Sequence, residues 1–212
     1  MVPVFLFAPT SVPHRLLVGY KAAPSAASRA HHSSALGDVL SLFLARHQAC
    51  VARDAAPVTL VPVPSSSGGR ASWHGRHPLV ALCEKAAEAS GTSVRSCLAP
   101  GAAGTRRLGA SPDGFRVVSR PSTATVVVVD DMFTSGARAL SATAALEGAG
   151  LRVAAVVPLG RLVCPGHNRE TAAFWREVGS RPWSPLSCCA CRPRPLALEV
   201  APSAWLEAAR AA

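Results

Sequence analysis

The feature that most constrains the fold is an apolar run that ends in two adjacent acids, VVVVDDMFTSGA at residues 126–137. Four consecutive valines predict a strand that is buried on both faces, which is typical of parallel sheets covered by helices. The small residues after the acids lead into helical spacing at residues 137–147, and Gly148 and Gly150 supply the stop. A buried strand that turns directly into a helix predicts an α/β fold.

Other parts of the chain repeat this alternation of strand-like and helix-like patterns. Apolar runs that predict strands lie at residues 2–7, 58–63 and 151–159, with a shorter one at 115–118. Helical spacing of apolar residues is found at residues 34–47 and 77–90, whereas residues 98–114 have no usable period and are predicted to form a loop. Strands alternating with helices predict a mostly parallel sheet flanked by helices.

The composition indicates one main domain and a small addition. A chain of 212 residues can bury a core of its own, and 49% hydrophobic residues exclude a disordered chain. After residue 161 the sequence becomes rich in Trp, Pro and Cys. We therefore predict a main domain at residues 1–161 and a Cys/Trp/Pro-rich C-terminal appendage at residues 162–212. Trp175, Trp183 and Trp205 are expected to pack this appendage onto the main sheet.

The charge balance predicts an anionic partner. The chain has 22 basic and 12 acidic residues and a net charge of +10. Such a charge suits nucleic acid, a membrane surface or a small polyanion such as a phosphorylated metabolite. Arginine-rich coding in a GC-rich genome is an alternative source of the same excess, and it requires no nucleic acid.

The sequence predicts a cytoplasmic protein with no membrane association. No apolar run approaches the roughly 18 residues that a membrane span needs. The opening MVPVFLFAPT lacks a positively charged start and is interrupted by prolines, so it is interpreted as a buried strand and not as a signal peptide. The odd number of cysteines, seven, favours reduced thiols over a disulfide framework.

The two acids mark the predicted binding site. Ligands of parallel α/β sheets bind beyond the carboxyl ends of the strands, which is where Asp130 and Asp131 lie. Carboxylates there can accept hydrogen bonds from sugar hydroxyls or lie near a magnesium ion (Mg2+). The following small residues open a helix whose N-terminus favours a phosphate; they are Thr134, Ser135, Gly136 and Ala137. Together these features predict a site for a ribose 5-phosphate group, whereas an ordinary N-capping turn needs only one acid.

The segment VVVVDDMFTSGA resembles the motif with which type I phosphoribosyltransferases bind 5-phosphoribosyl 1-diphosphate (PRPP). Within that family the chain is most similar to the ComF-type, amidophosphoribosyltransferase-like proteins. The other features that carry the resemblance are Tyr20-Lys21 ahead of a helix, the VPVP at residues 61–64 followed by a basic loop, and Gly114-Phe115. The resemblance covers roughly residues 15–161. It implies a type I phosphoribosyltransferase-like parallel sheet flanked by helices.

The resemblance also implies an activity. Such enzymes displace pyrophosphate from C1 of PRPP with a nitrogen nucleophile, and a magnesium ion is bound to the diphosphate. Asp130 and Asp131 would hold the ribose hydroxyls, directly or through metal-bound water, and residues 134–137 would hold the 5-phosphate. The other implied site residues are Ser65, Ser66, Arg70 and Arg76 in a pyrophosphate loop, and Arg106 and Arg107 in a lid. For each of these arginines, a solvated surface position is the alternative.

Some assignments stay open at this stage. Arg138 stands where the family commonly has Thr, and it could pair with the phosphate or point to solvent. His74 and His77 flank Arg76 and could donate to phosphate oxygens, although loop histidines commonly face solvent. Thr134 stands where purine-salvage members often carry an acidic base, which disfavours hypoxanthine or guanine as the acceptor. Dimers are common in the family, so a homodimer is compatible with the resemblance.

A second class of function uses the same pocket without catalysis. A PRPP-binding regulator, or a ComF-type protein linked to nucleic acid uptake or binding, would also need the acids and the phosphate turn. The net charge of +10 would favour the nucleic acid partner. Fold alone does not decide between an enzyme and such a sensor.

The C-terminal appendage carries a possible ligand set for structural zinc (Zn2+). Cys164 and His167 form a C-x2-H pair, and Cys188 and Cys191 form a C-x2-C pair about twenty residues later. Four such ligands suit a tetrahedral zinc ion. The alternative is that the thiols are small buried residues. The cysteines that lie among apolar residues and are interpreted as core are Cys50, Cys83 and Cys97.

Overall fold

The computed structural model describes residues 1–52, 55, 57–64, 77–102, 109–179, 183–184 and 187–191. In this part of the chain, a five-stranded sheet is flanked by helices, which confirms the predicted α/β class. The strands of the sheet are β1 (Phe5–Phe7), β2 (Thr59–Pro62), β3 (Ser93–Val94), β6 (Thr125–Phe133) and β7 (Arg152–Leu162). Between them in sequence come β4 (Leu98–Pro100) and β5 (Phe115–Val117), which form a separate antiparallel pair.

All neighbouring strands of the sheet are parallel, in the order β1-β7-β6-β2-β3. Strand β6, which carries the two acids, is therefore central. Its alternating side chains explain the valine run. Val127 and Val129 belong to the core on one face, and Val126 and Val128 to the core on the other. Burying each valine contributes about 1.5 kcal/mol or more, so a strand covered on both faces requires an uninterrupted apolar run.

Within the described ranges, five α-helices cover the sheet or extend from it: α1 (Val12–Ala22), α2 (Ala26–Ala52), α3 (Pro78–Ser90), α4 (Ala137–Gly148) and α5 (Arg169–Gly179). Side chains of α1, α2 and α3 share the larger core with Val127 and Val129. Helix α4 and the β4–β5 pair share the smaller core on the opposite face. Helix α5 has no buried residue. The central strand is thus covered by helices on both sides.

The observed elements differ from the sequence-based expectations in several places; β3 and α5, for example, were not predicted. Helix α1 was not predicted, although Ser11 accepts a hydrogen bond from the His14 N–H and caps it. Helix α2 is much longer than the predicted 34–47, because many of its residues are small or polar and the apolar spacing marks only its buried centre. The prediction of a loop at 98–114 was wrong for β4, because three residues are too few to reveal a period.

The part of the C-terminal appendage that follows α5, called the C-terminal segment below, contacts the main sheet through Trp183. Its indole Nε1–H donates to the Val4 carbonyl at 3.0 Å, and its ring meets Phe5 edge to face with centroids 6.2 Å apart. The predicted packing role of Trp183 is therefore confirmed, whereas Trp205 lies outside the described residues. Among the helices of the described ranges, none combines the length and the apolar character that crossing a membrane would require.

Candidate functional site

The prediction that the two acids follow the end of the strand was wrong, because β6 continues to Phe133 and includes both of them. They lie instead beyond the carboxyl end of the neighbouring strand β2. Strand β2 ends at Pro62 opposite Val129 of β6, so Asp130 and Asp131 begin where the neighbouring strand stops. On the other side β7 continues, and Asp130 pairs in register with Pro158. Both acids are nevertheless buried, with relative exposures of 5% and 8%. Two buried carboxyl groups in adjacent positions must each find charge or hydrogen-bond compensation.

Asp131 receives its compensation from helix α1. Its carboxylate forms an ion pair with Lys21 and accepts a hydrogen bond from the Tyr20 hydroxyl. The Met132 N–H also donates to Asp131 Oδ1 at 2.7 Å. Burial alone would raise the pKa of Asp131, but the Lys21 charge and the hydrogen bonds from Lys21 and Tyr20 bring it below its usual value. Asp131 is therefore an anion that the protein has neutralised.

Asp130 lies in the opposite electrostatic situation. The Asp131 N–H donates to its Oδ1 at 3.0 Å. Burial, and next the negative charge of Asp131, raise the pKa of Asp130 to about 7, although Arg138 and Lys21 act against this rise. Asp131 is thus ionised throughout the neutral pH range, whereas Asp130 loses its proton near neutral pH. Neighbouring acids whose pKa values are driven apart in this way are typical of binding and catalytic sites.

The turn after the acids presents a helix N-terminus. Thr134 and Ser135 are exposed, and the Ser135 hydroxyl accepts a hydrogen bond from the Ala137 N–H at 3.3 Å. Gly136 precedes α4 in the left-handed conformation, with φ 78° and ψ −4°, and makes no side-chain capping bond. The first turn of any α-helix has N–H groups without an intrahelical partner, and its dipole favours an anion. This turn therefore offers N–H donors of the kind that can bind an anion.

A glycine is required at position 136 for two reasons. The left-handed conformation is unfavourable for residues with a side chain. In addition, an added β-carbon would lie only 2.2 Å from Cζ of the Phe133 ring, which packs on this glycine. Glycine therefore lets the chain turn sharply between the acids and the helix.

Arg138 and His77 are two further polar residues near the acids. The Arg138 guanidinium donates to the Pro64 carbonyl, so it does not simply point to solvent. His77 caps α3, and its Nδ1 accepts the Leu79 N–H at 3.2 Å. An accepting Nδ1 places the proton of a neutral ring on Nε2. That Nε2 is buried and has no hydrogen-bond partner within the described part of the chain.

The His77 ring is held neutral at physiological pH. Burial lowers its pKa most, and the positive charges of Lys21 and Arg138 lower it further, although Asp131 acts in the opposite sense. A neutral ring with an unsatisfied Nε2–H can donate to an anionic ligand. The ring also lines a cleft of about 470 Å³ beside the end of β2, which is a volume in the range of ligand pockets. Neither the acids nor the turn at residues 134–137 is among the residues that line this cleft.

The structure brings together part of the predicted site. Asp130, Asp131 and residues 134–137 lie at one end of β6, as expected for consecutive residues. Tyr20 and Lys21 complete the site from α1, and the signal that could have found them was the Tyr-Lys pair of the family resemblance. The predicted residues that lie outside the described ranges are Ser65, Ser66, Arg70, Arg76, Arg106 and Arg107. His74 also lies outside them.

A second cluster of polar side chains joins α2 to the C-terminal segment. Its ligand atoms all lie within 4.8 Å of one another, and its members are His47, Cys50, Cys188 and Cys191. Cys50 is thus half-buried beside other thiols, in contrast to the expected core position, whereas Cys83 and Cys97 are buried as expected. The predicted ligands Cys164 and His167 are both exposed and are not members of this cluster. Sequence spacing could not reveal that His47 and Cys50 are the nearer partners.

No protein-family model matches the chain, and no curated protein matches it either. What the chain does must therefore be inferred from its residues and their geometry.

Proposed function

We propose that this protein is a phosphoribosyltransferase with a type I phosphoribosyltransferase-like fold. It would bind Mg-PRPP at the carboxyl end of β6 and transfer the phosphoribosyl group to a nitrogen acceptor, with release of pyrophosphate. One observation carries the proposal. A buried pair of acids with opposed pKa shifts is followed at once by a glycine-capped helix N-terminus, at the edge of a parallel sheet where ligands bind.

The acids suit the ribose ring of PRPP. A carboxyl group with a pKa near 7, as for Asp130, can both donate to and accept from a sugar hydroxyl at neutral pH. Asp131 keeps its charge and is fixed in place by Lys21 and Tyr20. Held rigidly beside C1, this carboxylate would favour the positive charge that develops on the ring as pyrophosphate leaves.

The turn at residues 134–136 suits the 5-phosphate. The exposed hydroxyls of Thr134 and Ser135 and the first N–H groups of α4 offer several donors within one short segment. A phosphate carries close to two negative charges at neutral pH, so the helix dipole would stabilise it. The distance between the acids and this turn is set by only two intervening residues, Met132 and Phe133, which suits the two ends of a ribose 5-phosphate.

The pyrophosphate would lie towards residues 65–76. The chain enters this segment at Pro64, which accepts the Arg138 hydrogen bond, and leaves it at His77, whose Nε2 is buried without a partner in the described ranges. Arg138, which bonds Pro64, acts electrostatically on Asp130, and Asp131 acts on His77, so both described ends of the segment are near the acids. Donors from His77 and from the implied pyrophosphate loop would stabilise the charge that grows on the leaving group. The implied lid residues Arg106 and Arg107 belong to the connection between β4 and β5.

Magnesium would enter as part of the substrate, bound to the diphosphate. The donors support an indirect role for the acids. The Asp131 carboxylate is already paired with Lys21 and bonded to Tyr20, which makes it a poor direct ligand for a hard cation that prefers unpaired carboxylate oxygens. Contact through ribose hydroxyls or metal-bound water fits this arrangement better.

A non-catalytic PRPP-binding regulator is the second candidate, and the same ion pair favours it. Lys21 cancels the charge of Asp131, and Asp130 is half-protonated near pH 7. The site therefore offers less negative charge to a cation-like transition state than two free carboxylates would. The net charge of +10 would suit a nucleic acid partner for such a regulator, with affinity that falls as salt is raised.

Calorimetric titration with PRPP and magnesium tests the binding step. We expect the wild-type protein to bind, and a variant with Asp130→Asn and Asp131→Asn to bind at least about tenfold more weakly, a loss of about 1.4 kcal/mol. Asp38→Asn is the matched control, because Asp38 is an exposed acid on α2 whose carboxylate pairs with Lys85. Equal affinity in the wild type and the double variant would contradict the site.

A turnover assay then separates the two candidates. Pyrophosphate release should depend on added ammonia or a nitrogenous base if the protein is an enzyme. Binding of PRPP without release, combined with salt-sensitive affinity for DNA or RNA, would favour the regulator. Thermal unfolding of each variant establishes that a loss of binding does not reflect a loss of the fold.

A further inference from the structure

We propose that His47 and Cys50 of α2, together with Cys188 and Cys191 of the C-terminal segment, form a structural zinc site. Cys191 Sγ lies 3.1 Å from His47 Nδ1, 3.2 Å from Cys188 Sγ and 3.5 Å from Cys50 Sγ. The four potential ligand atoms all lie within 4.8 Å of one another. None of them belongs to the phosphoribosyl site, so this inference is independent of the proposed function.

The distances fit a tetrahedral zinc ion. Zinc–sulfur bonds of about 2.3 Å place two thiolates about 3.8 Å apart, and a thiolate and an imidazole nitrogen about 3.6 Å apart. The three separations from Cys191 Sγ are about 0.3 to 0.6 Å shorter than these values, and the other pairs lie within 4.8 Å, so the side chains would have to move apart around Cys191 to admit an ion. Three thiolates and one imidazole form a closed set of ligands, which is typical of a structural site and not of a catalytic one.

A disulfide explains the cluster less well. Cys191 is close to three partners at once, whereas a disulfide would join it to one thiol at about 2.05 Å and leave the other thiol and the imidazole without a role. The sulfur–sulfur distances of 3.2 and 3.5 Å describe contacts between separate thiols. A shared central ion accounts for all four side chains.

The local backbone presents the ligands in pairs. His47 and Cys50 are three residues apart on α2, so they lie on one face of the helix. The helix departs from helical dihedral angles at His47, with φ −118° and ψ 17°, and the ring is buried. In the C-terminal segment the Cys191 N–H donates to the Cys188 carbonyl at 3.1 Å, which closes the short turn that a C-x2-C pair requires.

Such a site would tie two distant parts of the chain together. Its two ligand pairs are about 140 residues apart in sequence. The other described contacts that hold the C-terminal segment include those of Trp183 with Val4 and Phe5 and the packing of Cys188 against the larger core. Because the four ligands come together only in the folded chain, the free energy of zinc binding should stabilise the folded state.

Zinc content provides the first test. We expect about one zinc per chain in the wild type purified with zinc and without chelator, and less than about 0.2 in Cys191→Ser. The matched control is Cys189→Ser, because Cys189 lies between the ligands in sequence but is exposed and is not a member of the cluster. Full zinc in Cys191→Ser, or no zinc in the wild type, would overturn the proposal.

Thiol labelling provides a second test that needs no variant. In the native protein we expect fast reaction of the two exposed thiols, Cys164 and Cys189. A chelator should expose three more thiols, those of the cluster, and added zinc should protect them again. The buried Cys83 and Cys97 should react only after unfolding. Five reactive thiols in denaturant instead of seven would indicate a disulfide and would refute the zinc site.

Discussion

Replacing Asp130 by Asn should stabilise the protein at alkaline pH. Asp130 is 5% exposed, and its pKa is raised from the ordinary 3.8 to about 7 by burial and by the charge of Asp131. A carboxyl group with a raised folded-state pKa binds its proton more tightly when the protein is folded. Stability is therefore lost as the pH rises from about 4 to about 7, and the wild type carries the full cost above pH 7.

The size of the effect follows from the same pKa values. A difference of about three between the folded and unfolded pKa corresponds to about 4 kcal/mol, at 1.36 kcal/mol per pKa unit. Asparagine has nearly the same shape and can keep the hydrogen bond from the Asp131 N–H, but it does not ionise. Its buried amide costs about 1–3 kcal/mol at every pH. The pH-dependent part of the gain is thus the quantity to measure.

Urea denaturation of the wild type and Asp130→Asn at pH 4.5 and pH 8 isolates this quantity. The difference in unfolding free energy between the two proteins should change by about 3–4 kcal/mol in favour of the variant as the pH rises. For Asp38→Asn, which removes an exposed acid, the difference should change by less than about 0.5 kcal/mol. If the difference in unfolding free energy between the wild type and Asp130→Asn is the same at both pH values, Asp130 ionises normally and the electrostatic reasoning is refuted.

Two further substitutions probe the parts that fix the acids and the turn. Lys21→Met should lower the unfolding free energy by about 2 kcal/mol at neutral pH, because it leaves Asp131 buried without its cation. This loss of stability should become smaller as the pH falls and Asp131 is protonated. The surface control Lys85→Met should lower the unfolding free energy by less than about 0.5 kcal/mol. Gly136→Ala should cost about 1–3 kcal/mol in denaturant titrations, from the left-handed backbone and the Phe133 ring. The cost should fall in a Phe133→Ala background, and an unchanged cost there would show that the ring contributes nothing.

The parts of the fold that the sequence predicted are those in which a pattern repeats within one element. The valine run of β6 needs apolar residues on both faces, so it is recognisable without any partner. Helix α4 combines helical spacing with a glycine at its start and another at its end. Helix α1 escaped prediction because its buried residues are only Leu17, Gly19 and Tyr20, which is too few for an apolar stripe.

The parts of the site that the sequence did not predict depend on contacts between distant segments. Tyr20 and Asp131 are 111 residues apart, and only the packing of α1 against the sheet brings them together. Cys50 and Cys191 are 141 residues apart. The sequence analysis instead assigned Cys164 and His167 as zinc ligands, because this C-x2-H pair is closer in sequence to Cys188 and Cys191. Local spacing identifies ligand pairs but does not determine which pairs meet.

The contrast between the two acids gives the strongest physical reason to regard this edge of the sheet as functional. A protein selected only for stability would not keep Asp130 buried beside a second carboxylate, because asparagine or an apolar residue at this position would destabilise the folded state less. Lys21 and Tyr20 neutralise Asp131 alone, and the structure leaves Asp130 with the raised pKa. Sites of this kind exchange stability for the ability to bind a ligand. The substitution that should stabilise the protein at pH 8 should therefore also weaken its binding of PRPP, and a variant that gained both stability and affinity would separate the acid pair from the proposed function.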